Sequence, residues 1–196
     1  MTKDEKRKLL LRAAADGVAV RHKLCQSLLN DIIDVAQRLT RVLKKGGTIY
    51  LAGNGGSAAD CEHFATELVV RLTGKSQRSS LPSVSLTANG SLLTAAGNDY
   101  GFDKIFSRQV ESLVSKKDAL ILISTSGDSV NLITAAIAAR KNNAEVCSLL
   151  GSGGGKLRRY SDYKLIVPSD SVQRIQEEHI FIIHNLVYLI ERDLFS

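Results

Sequence analysis

Apolar residues recur at helical spacing through the first part of the chain. From about Glu5 to Leu43 the pattern contains no proline and a single glycine, Gly17. Recurrence every three to four positions is typical of amphipathic helices that cover a core with one face. We therefore predict two helices here, which form a helical N-terminal segment over about residues 1–46.

The rest of the chain alternates short β-prone runs with helical patterns. Alternating strands and helices require crossover connections, which give a parallel sheet covered on both faces. We therefore predict one α/β domain over residues 1–196, a doubly wound five-stranded parallel sheet flanked by helices. The predicted strands are 48–52, 83–86, 119–123, 145–149 and 163–167, and the predicted helices after them include 58–72, 130–141 and 172–193.

Composition narrows the class of protein. Hydrophobic residues make up 44% and charged residues 23%, as in ordinary globular domains. No run reaches the roughly 18 apolar residues that span a bilayer, and the N-terminus lacks the apolar core of a signal peptide. Three cysteines without a CxxC pair favour reduced thiols. We therefore expect a cytoplasmic protein with no membrane partner.

Charge argues against nucleic-acid binding. The net charge is +6, but the basic residues are scattered apart from a run near the N-terminus and a few short pairs. A solvated helix face explains that run more simply than a nucleic-acid surface. We therefore expect no nucleic-acid partner.

A hydroxyl-rich loop follows the predicted strand 119–123. Residues 124–129, Ser-Thr-Ser-Gly-Asp-Ser, place four hydroxyls and several backbone N–H groups at the start of a helix. The helix dipole favours an anion there, and ligands of open parallel sheets bind outside the carboxyl ends of the strands. A phosphate site is the favoured interpretation, although helix caps and a serine/threonine turn would use the same residues.

A glycine-rich loop follows the first predicted strand. Residues 53–57, Gly-Asn-Gly-Gly-Ser, let a ligand approach the backbone closely. The loop matches neither GxxxxGK[ST] nor GxGxxG, and no lysine follows to reach a β- or γ-phosphate. This argues against a nucleoside triphosphate and favours a smaller phosphorylated ligand.

Two predicted helices carry side chains suited to acid–base or metal chemistry. His63 and Glu67 are four residues apart and share a helix face. On the last helix, Gln176 and His184 are about 12 Å apart along the axis, near the limit for sharing a ligand, and His179 lies on a different face. Each of these residues alone has an ordinary structural explanation.

Several of these segments, taken in chain order, resemble one known family. They are 53–57, 63–67, 97–102, 124–129 and 174–177 with His184. Together they resemble the phosphoheptose isomerases, sedoheptulose 7-phosphate isomerases of the SIS (sugar isomerase) fold, over nearly the whole chain. The resemblance implies an aldose–ketose isomerase that makes D-glycero-D-manno-heptose 7-phosphate through an enediolate, for surface heptose such as that of lipopolysaccharide.

The resemblance also implies roles for individual residues. Glu67 and His184 would be the catalytic acid–base pair, and a divalent metal, commonly zinc, would be held by His63, Glu67, Gln176 and His184. Family members are homotetramers whose active sites draw on more than one subunit. The residues implied for the substrate are Asn54, Gly55, Gly56, Ser57, Glu67, Arg71, Asn98, Asp99, Ser124, Thr125, Ser126, Ser129 and Gln176.

Two departures and one rival interpretation accompany the resemblance. Gln173 stands where some relatives carry an aspartate, and Leu72-Thr73 follows Arg71 where many carry an aromatic residue. The rival is a non-catalytic SIS protein that binds a sugar phosphate or a replication initiator. The replication-initiator-associating relative typically lacks the equivalents of Glu67 and His184, whereas this chain has both.

Overall fold

The computed structural model describes residues 1–74 and 77–195. Within these residues, five strands form one sheet in the order β2-β1-β3-β4-β5, and every pairing is parallel. The predicted strand number and direction are therefore confirmed. The strands are β1 Ile49–Gly53, β2 Ser83–Ser85, β3 Ala119–Ser124, β4 Glu145–Leu150 and β5 Tyr163–Ile166.

Seven α-helices connect and cover the strands in this described part of the chain. The first two confirm the predicted helical N-terminal segment. They are α1 Lys3–Ser27, α2 Leu29–Lys44, α3 Gly56–Val69, α4 Gly90–Tyr100, α5 Ser107–Leu113, α6 Val130–Lys141 and α7 Val172–Phe195, with short 3-10 turns at Phe102–Lys104, Ser152–Gly154 and Leu157–Arg159.

The sequence pattern did not predict α4 or α5. Helix α4 contains Gly90 and Gly97, and glycine in a helix costs about 1 kcal/mol relative to alanine. A side-chain cap offsets this, because Asn89 Oδ1 accepts a hydrogen bond from Leu92 N at 3.0 Å. Helix α5 has only seven residues, too few for a clear helical period.

The sheet is buried on both faces, which explains why β3 reads as a continuous apolar run. Ile121 and Ile123 face a core built with α2, α3 and α7. Leu120 and Leu122 face a second core built with α5 and α6. Alternate strand residues point to opposite faces, so one strand supplies both cores.

Helix α1 is the least buried of the seven α-helices described. A capping box between Thr2 and Glu5 begins it, and Leu24 is its one residue classed as buried. It contacts α7 through the ion pair of Arg21 with buried Glu178. Among the described residues, no helix is both long and apolar enough to cross a membrane.

The strand order places the two candidate loops side by side. Strand β1 pairs with β2 on one side and with β3 on the other, and the chain continues outward from β3 through β4 to β5. The order therefore reverses between β1 and β3, where open α/β sheets bind ligands. Gly53 pairs with Ile123, so the loops after these two strands emerge next to each other.

Candidate active site

Helices α3 and α7 run in the same direction and meet at successive levels. At the start of α3, the Gln176 amide lies against Gly56, where an added Cβ would fall 2.2 Å from Gln176 Nε2. Seven residues further along α3, His63 meets His184, which is eight residues further along α7. The two pairs are therefore about two helical turns apart.

The second level brings together the predicted acid–base pair and a third ligand-type side chain. His63 Nε2 lies 3.0 Å from His184 Nε2. Glu67 Oε1 lies 3.3 Å from His63 Nε2 and 3.5 Å from His184 Nε2. Both histidine side chains are 44% exposed, whereas that of Glu67 is 11% exposed. We call His63, Glu67 and His184 the acid–base cluster.

Glu67 is electrostatically unusual. Burial raises the pKa of its carboxyl group, His63 and His184 oppose that rise, and Glu191 adds to it. Its Oε2 atom is buried without a hydrogen-bond partner in the part of the chain that the structure describes. A carboxylate with a raised pKa is a stronger base and is typical of groups that exchange protons with a ligand.

The acid–base cluster fits a divalent metal. One ligand atom from each side chain lies within 4.8 Å of the others, and imidazole with carboxylate suits zinc. Three protein ligands with an open position are typical of catalytic zinc sites. Gln176 contacts the earlier level at Gly56, so its role as a ligand stays a prediction.

Asp60 is a further ionisable group that the sequence analysis missed. Burial raises the pKa of this carboxyl group to about 6, and His63 opposes the rise. Its Oδ2 atom is buried without a partner among residues 1–74 and 77–195. The signal was present in the sequence, since positions 60, 63 and 67 lie on one helix face.

The glycine loop and the hydroxyl-rich turn are joined by a reciprocal amide pair. Asn54 Nδ2 donates to Asn131 Oδ1 at 3.0 Å, and Asn131 Nδ2 donates to Asn54 Oδ1 at 2.9 Å. Asn131 is buried in the first turn of α6. The sequence carried no signal for Asn131, because its partner is 77 residues away.

Both interpretations of residues 124–129 have support in the structure. Ser124 Oγ accepts from Gly127 N at 3.0 Å and Ser126 Oγ accepts from Asp128 N at 3.2 Å, as in a serine turn. Ser129 is the N-cap of α6 but makes no side-chain capping bond. The start of α6 therefore offers backbone N–H groups to an anion.

The loop after β4 packs against the turn at residues 124–129 and donates hydrogen bonds to it. Gly127 has a φ of +69°, and a Cβ there would fall 2.2 Å from Gly154 O. Leu157 N donates to Gly127 O at 2.8 Å, and Lys156 N donates to Asp128 Oδ1 at 3.0 Å. Residue 127 must be glycine for the two loops to pack this closely.

Three predicted substrate residues are exposed. Arg71 is exposed just beyond the end of α3, and Asn98 and Asp99 are exposed near the end of α4. Asn98 Nδ2 donates to Asp99 Oδ1 at 2.8 Å. Their contact with a substrate stays a prediction.

Comparison with known proteins identifies the family. A family model described as SIS domain matches residues 14–151. A phosphoheptose isomerase from Leptospira biflexa is 42% identical over 92% of this chain and 93% of its own length. This chain belongs to the phosphoheptose isomerase family. Phosphoheptose isomerase 1 from Campylobacter jejuni is 49% identical over 84% of this chain and 87% of its own length.

Solved structures agree with this assignment. The structure of a phosphoheptose isomerase from Neisseria gonorrhoeae superposes with a TM-score of 0.89 at 38% identity, covering 95% of this chain and 98% of the other. The resemblance to phosphoheptose isomerases and the predicted SIS fold are therefore both confirmed.

Proposed function

We propose that this phosphoheptose isomerase family member interconverts sedoheptulose 7-phosphate and D-glycero-D-manno-heptose 7-phosphate through an enediolate, for surface heptose such as that of lipopolysaccharide. One observation carries the proposal. A buried carboxylate whose pKa is raised lies within 3.5 Å of two histidines, one on α3 and one on α7. A base, a proton carrier and a charge stabiliser are what enediolate chemistry requires.

The spacing of the two subsites favours a long sugar phosphate. The phosphate would bind at residues 124–129, which lie level with the start of α3 because Asn54 pairs with Asn131. His63 and Glu67 lie six and ten residues beyond Ser57, or about 9 and 15 Å along the helix axis. A phosphate separated by several carbons from the reacting carbonyl fits this arrangement.

Each member of the acid–base pair has a distinct task. Glu67 takes the proton from one carbon and returns it to the neighbouring carbon, because burial makes its carboxylate more basic than a carboxylate in water. His184, more exposed than Glu67, moves protons between the two substrate oxygens. Zinc held by His63, Glu67, Gln176 and His184 would polarise those oxygens as a Lewis acid.

Turnover in deuterated water tests the enzyme against a binding module. Metal-replete protein incubated with sedoheptulose 7-phosphate should produce the aldose and incorporate solvent deuterium at the reacting carbon. A matched sample of Glu67→Gln protein should bind the sugar phosphate without conversion. Wild-type protein that binds but neither converts the sugar nor incorporates deuterium would contradict the proposal and favour the non-catalytic interpretation.

Metal removal tests the zinc assignment separately. A strong chelator should abolish turnover, and zinc should restore it, because the acid–base cluster supplies imidazole and carboxylate ligands. Undiminished activity in protein shown by elemental analysis to be metal-free would contradict this assignment.

Self-association into a tetramer is part of the proposal. Leu10 and Val18 on α1 are 73% and 71% exposed, which favours their burial against another subunit. A neighbouring subunit could also bring Asn98 and Asp99 to a substrate. Light scattering should give four times the chain mass, and a double change of Leu10 and Val18 to glutamate should lower it.

A cytoplasmic location is also proposed. Cys25, Cys61 and Cys147 are free thiols, as is usual in a reducing compartment. Thiol labelling of protein in intact cells should find all three cysteines reduced.

A further inference from the structure

The segment after α3 contains a buried arginine at a third level of contact between α3 and α7. The side chain of Arg78 is 0% exposed. Its Nε donates to Glu191 Oε1 at 2.6 Å, its Nη2 to Glu67 O at 2.7 Å and its Nη1 to Ser79 O at 2.9 Å. One guanidinium therefore joins the backbone of the candidate base to α7.

The contact with Glu67 caps a helix end. Glu67 lies in the last turn of α3, where carbonyl groups lack partners within the helix. A cation is favoured there by the helix dipole. Leu81 N caps the next carbonyl, that of Leu68, at 3.2 Å. The returning segment thus holds the part of α3 that carries the Glu67 side chain.

The contact with Glu191 reaches the helix that carries His184. Residues 184 and 191 are seven apart and lie on the same face of α7. Glu191 Oε1 also accepts from Leu72 N at 3.1 Å. One carboxylate oxygen of α7 therefore accepts hydrogen bonds from both Leu72 and Arg78, in the segment that follows α3.

The energetics of a buried ion pair suggest a role beyond stability. Replacing such a pair with apolar side chains of similar volume is often neutral or stabilising. Apolar side chains at these two positions would therefore stabilise the fold at least as well as the ion pair does. The fixed, directional contacts of the guanidinium are what apolar side chains would not reproduce.

We propose that Arg78, with Glu191, is a positioning residue that sets the spacing of α3 and α7 and so holds Glu67 and His63 within reach of His184. The inference rests on the proposed function. It adds a group that touches neither substrate nor metal and acts through the backbone of Glu67 and the carboxylate of Glu191.

The test separates positioning from stability with a double variant. Arg78→Met together with Glu191→Leu removes both charges, so folding should be retained while the directional contacts are lost. Zinc affinity, measured by competition with a chromophoric chelator, should weaken about 10–100-fold. The kcat should fall by a similar factor, up to about 100-fold, with a smaller change in KM. Glu191→Gln alone provides a second, milder variant if the double variant does not fold.

Asp118→Asn is the matched control. It disturbs a buried carboxylate that accepts hydrogen bonds from Thr48 and Ser115 and, among the described residues, makes none with α3 or α7, so it should lower stability and leave zinc affinity and kcat unchanged. If the Arg78 and Glu191 variants change stability but keep zinc affinity and kcat within about twofold of wild type, positioning is overturned, since loss of such supporting contacts costs about 10-fold or more. If wild-type protein has no isomerase activity, the proposed function fails, and zinc affinity alone still decides the positioning role.

Discussion

Two buried carboxylates, Asp118 at the amino end of the sheet and Glu67 in the last turn of α3, are held in different ways. At the amino end, Asp118 Oδ1 accepts from Thr48 N at 2.8 Å, and Oδ2 accepts from the N and Oγ of Ser115 at 2.8 and 2.6 Å. Between α3 and α7, Glu67 Oε1 faces two histidines, and Oε2 has no partner in residues 1–74 and 77–195.

The difference separates a structural carboxylate from a functional one. Buried polar atoms are nearly always hydrogen-bonded, because an unmade bond in the interior costs about 1–3 kcal/mol. Asp118 uses both oxygens to tie two loop segments to the starts of β1 and β3. Glu67 leaves one oxygen without a partner and is surrounded by titratable groups, which is typical of a site that completes its bonding with a ligand.

The largest expected effect is on turnover. Glu67→Gln preserves size but removes basicity, so isomerisation should fall about 10²–10⁴-fold, and His184→Gln should do likewise. Asp118→Asn should reduce activity only in proportion to folded protein. Steady-state assays normalised to folded protein decide this. Near-normal turnover by Glu67→Gln would remove the distinction between the two carboxylates.

His179 tests whether a missing partner alone marks function, because both of its ring nitrogens are buried without a hydrogen-bond partner among the described residues. Burial lowers the pKa of His179 to about 4 from 6.5, and the Leu150 backbone opposes this only partly. The folded state therefore binds the proton more weakly than the unfolded state. Stability should fall as pH drops from about 6.5 to about 4, by about 3 kcal/mol in total, at 1.36 kcal/mol per pKa unit.

Urea unfolding of wild-type and His179→Leu protein at pH 7 and pH 4.5 provides the measurement. The His179→Leu variant should lose less stability than wild type between pH 7 and pH 4.5. The titration of all other groups lowers the stability of both proteins by the same amount. Equal losses would show that His179 is not a neutral, structural residue. The comparison of the two carboxylates would then need a criterion other than partner count.

The hydroxyls of residues 124–129 extend the comparison to a possible phosphate. Ser124 Oγ already accepts a hydrogen bond from Gly127 N, whereas the Ser129 side chain makes no capping hydrogen bond. Ser129→Ala should weaken substrate binding about 10-fold, near the lower limit for a hydrogen bond to a charged group, with an unchanged melting temperature. Ser124→Ala should also lower the melting temperature. Calorimetric titration that finds full affinity in Ser129→Ala would place the phosphate elsewhere.

The last effect is on stability, and its sign should differ between the two carboxylates. The folded-state pKa of Glu67 is raised, so its charged form is disfavoured by folding and stability falls as pH rises through that pKa. In metal-free protein at neutral pH, Glu67→Gln should therefore be slightly more stable than wild type. Asp118→Asn should be less stable by about 1–3 kcal/mol, since an amide places donors against donors. Denaturant titration distinguishes these opposite signs.

Local patterns predicted most of the fold. The boundaries of α6 are as predicted, and each strand lies within about two residues of its predicted range, because apolar periodicity and loop composition are short-range signals. The unpredicted helices α4 and α5 lack a clear period and depend on caps and packing. The serine and glycine loops were found because parallel strands place their carboxyl ends at one edge.

The sequence by itself determined the order of the five strands along the chain, the two ligand-type loops and the residue types of an acid–base site. Tertiary structure decided which of those residues meet. It placed His184 at 3.0 Å from His63 across 121 positions of chain, paired Asn54 with Asn131 and buried Arg78 against Glu191. Such contacts are invisible in sequence because they depend on the packing of α3 and α7 and on strand order, not on local spacing. The same packing removes Glu67 from water and raises its pKa.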